Sequence, residues 1–202
     1  MAKIESVCVY CGSSRGRSPV FSEGAQQFGR ILAENGIRLV YGGGGVGLMG
    51  DVASAAALAG GAVTGIIPTF LKKAERAFRH EAEMIEVGGM HERKRLMFER
   101  ADAFVALPGG VGTLEELVEQ ITWAQLGRHR KPILLANLEG FWNPFLDLLS
   151  HMQEMGFLWA QQPLRILTAE RIEDILPALQ AAAAAVPEAE FHGLDADLAK
   201  QM

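Results

Sequence analysis

Short β-branched or aliphatic runs alternate along this chain with longer stretches whose apolar residues recur at helical spacing. The pattern predicts strands over 4–11, 37–41, 62–67, 83–87, 103–107, 132–136 and 164–167, and helices over 19–35, 47–60, 90–101, 113–127, 142–155 and 169–183. Alternation of this kind reads as a doubly wound, Rossmann-like α/β fold, a mostly parallel sheet with helices on both faces. Runs such as Ile37-Arg38-Leu39-Val40-Tyr41 and Pro132-Ile133-Leu134-Leu135-Ala136 lack polar alternation, which suits strands buried on both faces. Ligands of such sheets bind outside the carboxyl ends of the strands, so the loops starting at Gly12, Gly42, Pro68 and Pro108 are expected to converge.

With 202 residues, 49% of them apolar, the chain can bury one sizeable core. The reading is one nucleotide-binding catalytic domain over 1–185 and a C-terminal tail over 186–202, beyond an alanine run that carries no core pattern. The segment 68–82, with Lys72, Lys73, Glu75, Arg76, Arg79 and His80, is charged and poorly periodic; it reads equally as a flap over the crevice and as a solvated loop. No internal repeat is visible.

A net charge of −5 with dispersed Lys and Arg argues against a nucleic-acid partner. No apolar stretch reaches the roughly 18 residues of a membrane span, and no signal-peptide pattern precedes the first strand. The expectation is a soluble, cytoplasmic protein with no membrane partner. Cys8 and Cys11 form a C-x-x-C, but their odd offset along a strand sends the side chains to opposite faces, so a buried structural pair is the better reading. Histidine spacing suggests no metal site, and none is expected.

Pro108-Gly109-Gly110-Val111-Gly112-Thr113-Leu114-Glu115-Glu116 leaves a buried strand and enters a helix. Glycines there permit positive φ and close ligand approach, and the first N–H groups of the helix attract a phosphate. Thr113-Leu114-Glu115-Glu116 also fits a capping box, which by itself would explain Glu116. Which of Glu115 and Glu116 faces the crevice is open at this level. Gly42-Gly43-Gly44-Gly45-Val46-Gly47-Leu48-Met49-Gly50 satisfies G-x-G-x-x-G, yet it lies in the second βα unit and no carboxylate ends the next strand, so NAD is disfavoured. It reads as a backbone platform for a nucleotide, or as a tight turn needing glycine for helix packing. In Met90-His91-Glu92-Arg93-Lys94, two basic residues lie near the positive end of a helix, which calls for a compensating anion or carboxylate.

Met90-His91-Glu92-Arg93-Lys94, followed by Pro108 through Glu116, resembles the LONELY GUY family of cytokinin-activating phosphoribohydrolases, whose members were once labelled lysine decarboxylases. The likeness runs from Cys11-Gly12-Ser13-Ser14 through the tetraglycine loop to Ile121-Thr122-Trp123-Ala124-Gln125-Leu126-Gly127. No residue pattern suggests a lysine holding pyridoxal phosphate. The resemblance implies a hydrolase that cuts the N-glycosidic bond of nucleoside 5′-monophosphates, AMP or cytokinin riboside monophosphates, without a cofactor.

The resemblance also places a catalytic pair on Arg93 and Glu116. Substrate contacts fall on Glu75, Lys94, Gly109, Gly110, Val111, Gly112, Thr113, Leu114, Glu115 and Thr122, with Gly43, Gly44, Gly47 and Ser13 lining the nucleotide. A carboxylate beside the ribose would stabilise oxocarbenium charge and activate water. Arg93 remains protonated and would orient Glu116. The implied assembly is a homodimer closing near the site, with the apolar helix around Leu117, Ile121, Trp123 and Leu126 as interface or simply as core. The rival readings are a non-catalytic nucleotide or molybdenum-cofactor carrier on the same fold and, more remotely, an NAD-dependent oxidoreductase.

Overall fold

The computed structural model describes residues 2–72, 82–158 and 165–187. Its strands are β1 (Ser6–Tyr10), β2 (Arg38–Tyr41), β3 (Val63–Pro68), β4 (Glu83–Val87), β5 (Ala103–Ala106), β6 (Ile133–Ala136) and β7 (Ile166–Ala169). The helices are α1 (Pro19–Glu34), α2 (Gly47–Leu58), α3 (Met90–Glu99), α4 (Val111–Gln125), α5 (Asn143–Glu154) and α6 (Ile175–Ala184). Every strand pairs in parallel, in the order β4-β3-β2-β1-β5-β6-β7. This is the doubly wound sheet expected from the alternation. Its order reverses between β1 and β5, and a crevice opens where the chain leaves those two neighbours in opposite directions.

Period-two alternation sorts the core into two layers. Val7, Val9 and Cys11 face α1, α2 and α6 through Phe28, Leu32, Val52 and Leu179. Cys8 and Tyr10 face the other way, onto Met97, Leu117 and Ile121 of α3 and α4. The two cysteines are therefore buried on opposite faces, unbonded, as their spacing implied. Glu83 on edge strand β4 pairs with Arg38 and Arg100, so charge blunts that edge against a further strand.

Three features depart from the sequence pattern. Helix α4 begins at Val111 with Gly110 as its cap residue and no side-chain cap, so the capping box led by Thr113 does not form. Thr113 instead turns inward, only 4% exposed, against Gly109: a Cβ on that glycine would lie 2.1 Å from Thr113 Oγ1. The last strand starts at Ile166, and a turn of 3₁₀ helix over Ile172–Asp174 precedes α6, so the long helix expected from 169 starts at Ile175. The alanine run is helical to Ala184, with Ala183 and Val186 in the core, because every third or fourth position still meets the sheet. Of the segment 68–82, residues 73–81 lie outside the described residues, as do 188–202 of the C-terminal tail.

Candidate functional site

The loops after β1 and β5 meet at the switch point. Gly12 N–H donates to the Pro108 carbonyl at 3.1 Å, and Leu48 and Met49 at the start of α2 donate to the Gly12 carbonyl at 3.0 and 3.3 Å. The α2 amides are thereby used within the chain. At α4 the situation differs. Leu114 N–H closes the first turn onto Gly110, whereas among the described residues no hydrogen bond occupies the N–H groups of Val111, Gly112 and Thr113. A Cβ on Gly110 or Gly112 would meet nothing within 4 Å. Neither glycine, nor Gly109, has positive φ, so this loop uses glycine for close packing at Gly109 and open space at Gly110 and Gly112. Free amides at a helix start, with room before them, suit an anion.

Arg93 reaches the same region from α3. It is 5% exposed, its Nε donates to the Ile66 carbonyl at 3.1 Å, and its Nη2 donates to the Gly42 carbonyl at 3.0 Å. Those two carbonyls, at the ends of β3 and β2, fix the plane of the guanidinium. Nη1 then lies 3.5 Å from Glu116 Oε1, so a buried carboxylate is paired with a cation that cannot take up a proton. The neighbouring carboxylate has a different environment. Glu115 is half exposed and accepts from Lys94 Nζ at 2.5 Å, and Glu119, one turn on, accepts from the same ammonium at 3.0 Å. Burial opposes the Lys94 charge, but its hydrogen bonds to Glu115 and Glu119 outweigh this and hold its pKa above the usual lysine range. Basic residues near the start of α3 call for an anion or carboxylate, and the carboxylates that meet them, Glu115, Glu116 and Glu119, are all on α4.

The glycines of the second loop have intrachain reasons. A Cβ on Gly42 would fall 1.9 Å from Arg93 Nη2, and one on Gly47, at φ +62°, would fall 2.2 Å from the Ser13 carbonyl carbon. Gly43 is also at positive φ and packs on Ile67 and Met84, and Gly44 is buried. The tight-turn reading accounts for Gly42, Gly43 and Gly47 without a ligand. Ser13 is exposed, next to the Gly12–Pro108 junction.

The fold thus gathers Ser13, Arg93, Lys94, Gly109 to Thr113, Glu115 and Glu116 around one crevice. Leu114 and Val111 are on its outer rim, 36% and 83% exposed. Thr122 is not gathered: it is exposed, its hydroxyl donates to the Val118 carbonyl at 2.8 Å, and it lies about 9 Å along the axis from Glu116 on another face. Glu75 lies outside the described residues. Two participants escaped the sequence reading. Glu119 was findable from its four-residue spacing to Glu115; Gly42 as the seat of Arg93 was not. Burial, with the Glu116 charge adding to it, pushes the Cys8 and Cys11 thiols up, so neither is a nucleophile here.

The sequence model of a family described as "Possible lysine decarboxylase" matches residues 49–179. The cytokinin riboside 5′-monophosphate phosphoribohydrolase LOG of Oryza sativa subsp. japonica is 48% identical over 166 residues, 82% of this chain and 68% of that protein. The cytokinin riboside 5′-monophosphate phosphoribohydrolase of Rhodococcoides fascians is 42% identical over 177 residues, 87% of this chain and 89% of that one. Among solved structures, the Moco carrier protein of Chlamydomonas reinhardtii superposes with a TM-score of 0.68 at 18% identity, covering 91% of this chain and 100% of its own. At that identity the likeness is one of fold alone.

Proposed function

The chain belongs to the LONELY GUY family of phosphoribohydrolases, and on that premise we propose that it hydrolyses the N-glycosidic bond of nucleoside 5′-monophosphates, cytokinin riboside monophosphates and AMP among them. The base leaves C1′ as the free base, water supplies the new C1′ oxygen, and the product is ribose 5-phosphate. The observation that carries this reading is the buried Arg93–Glu116 pair beside the open start of α4.

In this reading the Val111, Gly112 and Thr113 amides hold the 5′-phosphate, which selects the monophosphate over the free riboside. Glu116 faces the ribose, where its charge stabilises oxocarbenium character and its carboxylate orients the attacking water. Arg93, tied to Gly42 and Ile66, holds that carboxylate in place. Lys94, held between Glu115 and Glu119, supplies a second positive charge at the rim. Glu75 and Thr122 are retained as substrate contacts on the family resemblance, and Ser13, Gly43, Gly44 and Gly47 as residues lining the nucleotide.

The assembly in this reading is a cytoplasmic homodimer. Leu117 and Ile121 belong to the core of this chain, whereas Val111, Leu114, Val118 and Leu126 leave an apolar strip exposed on α4. Thr122 lies on the same side, so a second copy seated there would bring it towards a site. Incubation of the purified protein with AMP and with isopentenyladenosine monophosphate, followed by chromatography of the free base, tests the proposal. Base release is expected; tight nucleotide binding without release from either substrate would favour a carrier instead.

A further inference from the structure

The loop that carries Ser13 has almost no core of its own. Between Gly12 and the first turn of α1, residues 13–17 are all exposed, and Gly16 is at φ +71°. Its conformation depends on anchors. At its start Gly12 is bonded to Pro108, Leu48 and Met49 and the Ser13 backbone packs on Gly47; further along, the anchor is a buried carboxylate on α2. Asp51 is 6% exposed and receives Arg15 through both ends of the guanidinium fork, Nε to Oδ2 at 2.8 Å and Nη2 to Oδ1 at 2.6 Å. Ser22 Oγ on α1 donates to the same Oδ2 at 2.7 Å, and Gln26 Nε2 donates to Ser22 Oγ at 3.3 Å.

A two-point fork fixes the plane as well as the position of Arg15, so the backbone two residues from Ser13 is held by direction and not by charge alone. Burying a carboxylate is costly, and an apolar pair would join α1 to α2 at least as well. The arrangement is better matched to holding a loop than to strengthening a helix contact. We propose that Asp51 is a positioning residue for the nucleotide: through Arg15 and Ser22 it holds the loop 12–18 so that the Ser13 hydroxyl is presented to the substrate beside Pro108-Gly109. The inference rests on the reading of the crevice as a nucleoside monophosphate site.

The test is steady-state base release from AMP by wild type, Asp51→Asn, Ser13→Ala and the double variant, with thermal melting of each. If Asp51 acts through Ser13, each single change raises KM about tenfold with kcat within about twofold, and the double variant is no more than about twofold worse than either. Arg15→Lys keeps the charge but loses the fork, and is expected to fall between wild type and Asp51→Asn. Independent, multiplicative effects of the two changes, or a lowered melting temperature with unchanged KM, overturn the clamp while leaving the function intact. Wild type that releases no base refutes the function; calorimetric AMP affinity then reads the same coupling, and absence of any AMP binding overturns both.

Discussion

Arg93 Nη1 and Glu116 Oε1 stand 3.5 Å apart with both side chains about nine-tenths buried, and the arginine is held by two backbone carbonyls besides. Glu116→Gln keeps the shape of the side chain and removes its charge. The expected result is a fall in kcat of about 10²–10⁴-fold with the fold retained, measured by base release and circular dichroism. Arg93→Ala removes the cation facing a buried carboxylate and a donor to two carbonyls, and is expected to cost about 3–5 kcal/mol in urea unfolding.

The arginine needs the absent side chain of Gly42. An alanine there would place Cβ 1.9 Å from Arg93 Nη2 and push the guanidinium off its carbonyls. Gly42→Ala is expected to lower kcat/KM at least about tenfold and to destabilise by about 1–3 kcal/mol, as overpacking does. Unchanged kinetics would show that the seat is not needed for activity.

Gly112 separates ligand space from protein packing. It lies in the first turn of α4, without positive φ, and its Cβ would meet nothing in the chain. Alanine is the better helix former by about 1 kcal/mol, so Gly112→Ala is expected to raise the melting temperature. If a phosphate occupies that space, KM for the monophosphate rises all the same. A stabilised variant with wild-type KM would place the phosphate elsewhere.

His129 predicts an acid limit. Lys131 N–H donates to Nδ1 at 3.2 Å, which leaves Nε2–H to donate to the Gln120 carbonyl at 3.3 Å, so the buried ring has no lone pair free for a second proton. Burial, with the Lys131 charge adding to it, lowers its pKa from 6.5 to about 4. Below pH 6.5 the unfolded chain binds this proton first, so stability falls as pH drops from 6.5 through 4, by on the order of 3 kcal/mol in all. Urea midpoints against pH check this, and His129→Gln is expected to flatten that part of the profile.

The exposed strip on α4 is where the proposed homodimer would seat its second copy. Val118 is 41% exposed, so a charge there is tolerated in a monomer and disfavoured in an interface. Val118→Asp is expected to shift the protein from dimer to monomer in sedimentation equilibrium and to lower turnover. A wild-type protein that sediments as a monomer would remove the strip from the site.

Much of the fold was legible because its signals are local. Fully apolar strands, helical periodicity and glycine-rich strand ends are read within a few residues, and they led to the parallel sheet and to the crevice at the ends of β1 and β5. The separation of Cys8 from Cys11 followed from strand period alone. The C-terminal quarter was less legible, since an alanine-rich helix carries little amphipathic contrast and the 3₁₀ turn before it breaks the period.

The sequence by itself determined the fold class, the position of the glycine loop between a strand and a helix, and the requirement that Arg93 and Lys94 find an anion or a carboxylate. Tertiary structure decided which carboxylates. Glu115 and Glu116 are neighbours in the chain, but a helix rotates successive side chains by about 100°, so one meets Lys94 at the rim and the other Arg93 in the interior. It also decided one role of the tetraglycine loop: Arg93 and Gly42 are 51 positions apart, and only the packing of α3 over the ends of β2 and β3 makes that glycine the seat of the arginine. Contacts between distant segments depend on strand order and helix placement, which no local window of sequence contains.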